Sequence, residues 1–161
     1  MNEVELTKSC EIKPEILSKD KLKPYLINKL KEAIKDECTE DNGHVLYITN
    51  KNVEIVDHNI SRLNNRLICI VKFTACVFKP VKSLSVFGTV VMILEDGIFI
   101  TIFDKQKLLI PSIFLPEKFK FIDNSFISDD NCIKVDDKLK VEITNVEYSN
   151  NEFNCLGKII F

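Results

Sequence analysis

The sequence predicts a two-part protein, an α+β domain with one helix followed by an all-β barrel. Apolar residues recur at helical spacing between residues 22 and 34. Runs typical of β-strands occupy most of the remaining chain. Five of these runs follow residue 80, and a long polar segment precedes the fourth. Five strands with a long connection before the fourth are the pattern of a small closed barrel of the OB-fold type.

The N-terminal half predicts an antiparallel sheet with a helix on one face. The helix is expected to start at a Ser18 cap and to turn one apolar stripe toward the sheet, formed by Leu22, Leu26, Leu30, Ala33 and Ile34. The predicted strands are residues 3–12, a hairpin of His44–Thr49 and Val53–Asp57 around Asn50–Asn52, and a buried strand at Leu67–Phe78.

The second half predicts strands only, with its first hairpin at Glu95-Asp96-Gly97. The predicted strands are Ser85–Leu94, Gly97–Phe103, Lys107–Ile110, Val135–Glu147 and Asn151–Ile160, with a polar excursion at Lys118–Asn131. The boundary between the halves falls near Lys79-Pro80. We therefore expect an α+β domain over residues 1–79 and an OB barrel over residues 80–161.

Composition limits the function classes. The formal net charge is −2, which argues against DNA binding through a dominant basic face but allows a local basic patch. No apolar run is long enough to span a bilayer, and the first residues lack an apolar signal core, so we expect an intracellular protein without a membrane partner. The six cysteines are scattered and form no C-x-x-C pair, which indicates reduced thiols and no metal site.

The sequence offers no catalytic constellation. Its two histidines, His44 and His58, are expected to be packing or surface residues and not general bases. With four glycines it carries no phosphate-binding loop, and we predict no cofactor. The acidic residues between Asp123 and Asp137 follow no ligand spacing, so a solvated acidic loop is favoured over a Mg²⁺ site.

The second barrel strand is the candidate RNA-binding element. Alternation directs Ile98, Ile100 and Ile102 inward and three other side chains outward, namely Phe99, Thr101 and Phe103. Exposed aromatics on this strand of an OB barrel are where bases stack, and nearby lysines can hold phosphates. The lysines concerned are Lys105, Lys107, Lys118 and Lys120. Alternatively, a partner subunit or the long loop covers Phe99 and Phe103.

Ordered motifs along the whole chain carry a family resemblance. They are Lys23-Pro24-Tyr25-Leu26, Cys38-Thr39, Gly43, Val77-Phe78-Lys79-Pro80, Gly88-Thr89-Val90-Val91, Glu95-Asp96-Gly97, Pro116 and Leu156-Gly157-Lys158-Ile159. Their spacing resembles the stalk subunit of RNA polymerase II, the seventh-subunit family, which has a homologue in archaea. The chain departs from the family pattern at Ser83-Leu84, where Gly-Glu is usual, and at Phe87, where an acidic residue is usual.

The resemblance implies a non-catalytic subunit that docks on the polymerase clamp, binds nascent RNA and pairs with a second, mostly helical stalk subunit. The docking residues it implies are Ile60, Arg62, Leu63 and Arg66 at the tip of the first domain, unless this loop packs on itself. The implied partner-subunit surface is Lys79, Pro80 and Phe87. The implied location is the nucleus, or the viral cytoplasm or virion for a viral homologue.

Other assignments remain open. The corresponding subunit of RNA polymerase III shares similar junction motifs, although the chain end at Phe161 favours polymerase II. A divergent eukaryotic, archaeal or viral source fits the same motifs. A free OB-fold RNA-binding factor in translation or RNA decay is a rival from a different class. A small hydrolase is disfavoured because no triad is present.

Overall fold

A computed structural model describes residues 1–13, 15, 19–63 and 66–161. Ser18, the expected helix cap, lies outside these residues. The chain divides into two compact units, the first made of Met1–Cys38 and Asn42–Lys79 and the second of Thr39–Asp41 and Pro80–Phe161. Among the described residues, no helix combines the length and the apolar composition that crossing a bilayer requires.

The first unit is an antiparallel sheet with one helix. Its elements are β1 (Asn2–Ile12), α1 (Lys19–Ile34), β2 (Cys38–Thr39), β3 (Gly43–Ile60) and β4 (Leu67–Phe78), and the sheet order is β1-β4-β3-β2. The long apolar strand β4 is central and pairs antiparallel with β1 along its whole length and with β3. The predicted α+β class of this half is confirmed.

Helix α1 buries one face against the sheet. Leu26, Leu30 and Ile34 are buried, as their spacing predicts, while Leu22 is partly buried against the same core. Ala33, also assigned to this stripe, is exposed, so that part of the prediction was wrong. The buried stripe is narrower than expected, because it follows residues four apart, from Leu22 to Ile34, and Ala33 lies beside this line. The sheet contributes Cys10, Ile12, Val45, Ile48, Cys69, Val71, Phe73, Ala75 and Val77 to this core.

The predicted hairpin around Asn50–Asn52 was wrong, because β3 runs as one strand from Gly43 to Ile60. Its register against β4 shifts between Thr49 and Glu54, so that residues 50–53 oppose a single residue of β4. The turn-forming Asn-Lys-Asn sequence therefore produces a bulge and not a reversal of the chain. Strand β4 spans 12 residues and pairs with β3 on both sides of the bulge.

The second unit contains a closed five-stranded barrel. Its elements, in order, are β5 (Ser85–Leu94), β6 (Gly97–Ile102), β7 (Gln106–Pro111), a 3-10 turn (Ser112–Phe114), β8 (Lys120–Ile122), β9 (Ser125–Ile127), β10 (Cys132–Ile133), β11 (Lys138–Ser149) and β12 (Glu152–Ile159). The barrel order is β11-β12-β7-β6-β5, with β12 and β7 parallel. This closure and strand order fit the predicted OB fold.

The predicted polar excursion at Lys118–Asn131 is not a plain loop. Strands β8, β9 and β10 form a small antiparallel sheet of their own. Phe126 and Ile133 are buried there, and the rings of Phe121 and Phe126 lie 5.5 Å apart. The short apolar triplets escape a periodicity analysis because three residues are too few to establish alternation.

Candidate nucleic-acid interface

Strand β6 has the alternation that its sequence predicts. Ile98, Ile100 and Ile102 are fully buried inside the barrel. Phe99 and Thr101 point the other way and are half-buried, so they line the outer face of the sheet. The inner residues thus hold the strand in a fixed orientation, and the outer residues are presented on a rigid surface.

The strand ends one residue earlier than predicted, and this changes the position of Phe103. Phe103 and Asp104 have φ angles of 55° and 57°, and the Lys105 amide donates to the Ile102 carbonyl at 3.1 Å. Two central residues with left-handed φ angles, closed by this hydrogen bond between the residues on either side of them, make a type I′ turn, which is the tight turn that suits a hairpin. Phe103 therefore stands on the turn between β6 and β7, with 46% of its surface exposed.

Strand pairing sorts the outer face into two rows. The basic row runs across four strands through Lys138, Thr89, Thr101 and Lys107, which are successive register partners. The apolar row is formed in the same way by Met92, Phe99, Leu109 and Leu156. Directly opposed residues on neighbouring strands lie about 4.5–5.5 Å apart, so each row is a continuous strip of side chains.

A groove of about 210 Å³ lies beside the basic row. Phe87 and Phe103 both line it, and both are well exposed, at 69% and 46%. The remaining lining residues are Gly88, Thr89, Thr101, Asp104 and Lys138. The lining therefore combines two aromatic side chains, two threonines, a lysine and an aspartate.

A buried glutamine links β7 to β12 in the barrel. Gln106 is 1% exposed, and its Nε2 donates to the Phe153 carbonyl at 2.8 Å and to the Lys107 carbonyl at 2.7 Å. Its side chain also lies 3.4 Å from the Cys155 sulfur. Burial raises the pKa of Cys155 to about 11, because the barrel interior disfavours the thiolate. Buried side chains thus fill the barrel interior, and the exposed side chains of its strands lie on the outer face.

The predicted RNA-binding residues are only partly brought together. Thr101, Phe103, Lys105 and Lys107 belong to one strand end and its turn. Two others lie outside the barrel strands. The Lys118 ammonium lies 5.7 Å from the ring of Phe119, and Lys120 is in β8 opposite Ile127.

Sequence reasoning missed two lysines and gave Phe87 a different role. Lys138 and Lys140 are exposed at the start of β11, opposite Thr89 and Phe87. The alternating Lys-Leu-Lys-Val-Glu sequence at residues 138–142 was a usable signal for their outward orientation. Phe87 was assigned to a partner-subunit surface, and its place beside Phe103 follows only from the register of β5 and β6.

The tip of the first unit exposes apolar side chains. Ile60 is 71% exposed and Leu63 is 98% exposed, so the described residues of the loop cover neither side chain. Arg62 is also exposed. Arg66 donates from Nη1 to Glu11 Oε2 at 3.0 Å, and its carbonyl accepts the Ser61 amide at 2.8 Å. The loop is thus held at its base, with its apolar groups in solvent.

The remaining predicted residues show no chemical site. Of the expected partner surface, Lys79 is exposed but Pro80 is buried, which limits what Pro80 can offer to another protein. His44 is half-buried opposite Phe78, and His58 is exposed. In the part of the chain that the structure describes, no group of His, Cys, Asp and Glu is arranged to hold a metal ion.

Fold and surface together define a class of protein: an α+β domain followed by an OB barrel, with exposed aromatic and lysine side chains on one barrel face. No family model matches the chain. It is similar to DNA-directed RNA polymerase II subunit RPB7 of Saccharomyces cerevisiae, with 26% identity over 144 residues. The match covers 86% of this chain and 84% of the yeast protein. The similarity is distant but extends over both units, and it supports a relationship to that subunit.

Proposed function

We propose that the chain is a non-catalytic stalk subunit of a DNA-directed RNA polymerase. The observation that carries the proposal is the similarity to the yeast subunit over 86% of the chain, together with an α+β unit and an OB barrel in that order. The first domain, residues 1–79, docks on the clamp region of the polymerase core. The second, residues 80–161, faces the emerging transcript. The mechanism is binding, which favours clamp closure and guides RNA during initiation and elongation.

The exposed tip supports the docking role. A side chain such as Leu63, almost fully exposed, gains stability only when another surface covers it. Burying one leucine on association contributes about 1.5–3 kcal/mol before the costs of binding. Ile60, Arg62 and Arg66 extend the same surface, and an apolar centre with an arginine rim is typical of protein interfaces. We assign these four residues to the contact with the polymerase core.

Sedimentation of the tagged chain in cell extract tests this proposal. The 18.5 kDa chain is expected to sediment with a large particle when it is part of a polymerase. Ile60→Asp combined with Leu63→Asp should move it to light fractions, because two charges cannot be buried in an apolar contact. Ile113→Asp is the matched control, since Ile113 is 83% exposed but belongs to the barrel unit. A wild-type chain found only in light fractions would refute the proposal.

A second stalk subunit, mostly helical, completes the proposed assembly. The apolar row supports such a partner, because Met92 is 45% exposed and its neighbours Phe99, Leu109 and Leu156 are uncharged. Lys79 and Phe87 are the exposed residues of the predicted partner surface. A partner that covers the apolar row would protect Met92 from oxidation in the isolated complex.

RNA binding is the second part of the proposal. The contacts predicted from the sequence are Phe99, Thr101, Phe103, Lys105, Lys107, Lys118 and Lys120. Phe99 is the one of these residues that a partner on the apolar row would cover instead. Aromatic stacking with lysine–phosphate contacts gives weak, sequence-tolerant and salt-sensitive binding, as suits a transcript of any sequence.

The polymerase class is assigned as II, with a nuclear location. The corresponding subunit of polymerase III is the alternative, and the co-isolated largest subunit distinguishes the two. Co-sedimentation of the chain with a large polymerase particle would exclude a free OB-fold factor. A chain that does not co-sediment with polymerase would support that alternative. The resemblance of the junction motifs and the similarity to a polymerase II subunit of yeast favour polymerase II.

A further inference from the structure

We propose that the groove lined by Phe87 and Phe103 is a binding site for one unstacked base of single-stranded RNA, and that the basic row beside it holds the flanking phosphates. This inference rests on the proposed function, which supplies RNA as the ligand. It moves the centre of binding from Phe99 to the end of β6 and adds Phe87 and Lys138 to the site.

The position of the two phenylalanines carries the first step. Thr89 of β5 is paired with Thr101 of β6. Phe87 lies two residues before Thr89, and Phe103 follows Thr101 on the turn that ends β6, so both lie at the same end of this strand pair. Both line the groove and both are well exposed. A preformed cavity of about 150 Å³ is enough to hold a benzene ring. The groove, at about 210 Å³, is thus large enough for a planar ring.

The charges around the groove carry the second step. Lys138 lines it, Lys140 is the register partner of Phe87, and Lys107 is the partner of Thr101. Among the described residues, none of these three lysines joins an ion pair. Asp104 is the acidic residue of the lining. Among the residues that line the groove or pair with its lining, three lysines thus stand against Asp104. This local positive charge fits a phosphate backbone, although the chain as a whole is net negative.

The surroundings of Phe99 are less suitable for RNA. Phe99 is half-buried, and its cross-strand neighbours are Met92 and Leu109. No lysine belongs to the apolar row, so a base stacked there would have its phosphates further from positive charge. The lining of the groove instead includes Thr89 and Thr101, whose side chains carry hydroxyl groups. Such hydroxyls can bond the 2′-OH, the group that distinguishes RNA from DNA.

Binding of a fluorescent oligouridine of about ten nucleotides, within the site sizes of OB folds, tests the proposal on the purified full chain. Phe87→Ala with Phe103→Ala should raise the Kd by at least about tenfold, since stacking contributes strongly per base. Phe114→Ala is the control, because Phe114 has the same 46% exposure as Phe103 and does not line the groove. Its Kd should stay within about twofold of the wild type, as expected for a surface change away from the site.

Lysine substitutions test the phosphate contacts separately. Lys107→Ala with Lys138→Ala should reduce the slope of log affinity against log salt by about 1.4, or about 0.7 for each phosphate that is no longer neutralised. The same oligonucleotide made as DNA should bind more weakly. Equal or tighter binding of the DNA strand would overturn the assignment to RNA.

A tryptophan reporter keeps the test decisive if the alanine pair destabilises the barrel. The chain contains no tryptophan, so Phe87→Trp introduces a single fluorophore at the groove. RNA should quench its emission, whereas a reporter at Phe114→Trp should not respond. Unchanged affinity in the alanine pair, a larger loss in Phe99→Ala, or an unquenched Phe87→Trp overturns the proposal. Because the purified chain is used, these results are independent of polymerase association by sedimentation.

Discussion

Gly88→Ala should destabilise the barrel, because a buried side chain of β6 occupies the space that a Cβ at position 88 would need. A Cβ at position 88 would lie 2.3 Å from Cγ2 of Ile100 and 3.3 Å from the carbonyl oxygen of Thr101. Ile100 is fully buried, so it cannot move outward into solvent. One side chain or the other must shift by about 1 Å to reach ordinary contact, and overpacking of this kind costs about 1–3 kcal/mol.

Urea and thermal unfolding measure this cost. For a chain of this size each kcal/mol lowers the Tm by about 2–4 °C, so Gly88→Ala should lower it by roughly 2–12 °C. Ser85→Ala is the control on the same strand, because Ser85 is exposed, and it should change stability by less than about 0.5 kcal/mol.

A double-mutant cycle identifies the contact responsible. Ile100→Ala alone should cost about 2–5 kcal/mol by leaving a cavity. The added methyl of Gly88→Ala fills part of that cavity, so the double variant should be less destabilised than the sum by at least about 0.5 kcal/mol. Strict additivity, or a Gly88→Ala protein as stable as the wild type, would refute the packing argument.

Two further predictions concern backbone strain and thiol burial. Ser83 has a φ of 73°, and its amide donates to the Ile143 carbonyl at 2.7 Å. Because glycine adopts this left-handed conformation without strain, Ser83→Gly should raise the free energy of unfolding in urea by up to about 1 kcal/mol. Ser85→Gly, in extended strand, should instead lower it by about 0.5–1 kcal/mol, and equal effects would contradict the strain argument. Because its pKa is about 11, Cys155 stays a neutral thiol at pH 8. Iodoacetamide should therefore modify the exposed Cys132 first and Cys155 only after unfolding, which mass spectrometry can follow. Equal labelling in the native protein would contradict its burial.

The fold was predictable where a local pattern decides the outcome. Helix α1 and the inward residues of β6 follow from periods of 3.6 and 2, which need only neighbouring residues. The bulge in β3 was not predictable, because Asn50–Asn52 has the same local preference in a turn and in a bulge. The length of β4 beside it selects the bulge. Strands β8 to β10 were missed because triplets carry too little pattern.

The candidate site was predictable along β6 but not across the barrel. Thr101 and Lys107 were found because they lie close together in the sequence. Phe87 and Lys138 join them only through the register of β5, β6 and β11, which depends on the closed barrel. Lys118 was included for its closeness in sequence, yet it lies beyond the barrel strand β7. To predict which residues meet across strands, the strand pairing must be known in addition to the sequence.

The central claim is that the chain is a subunit of an RNA polymerase, and affinity isolation of the tagged chain from its own cells tests it most directly. The proteins that accompany it at moderate salt are identified by mass spectrometry. We expect the large core subunits of RNA polymerase II in amounts comparable to the tagged chain, together with a smaller helical partner. Recovery of the core subunits of polymerase III would correct the class. Recovery of the chain with no large polymerase subunit would contradict the claim.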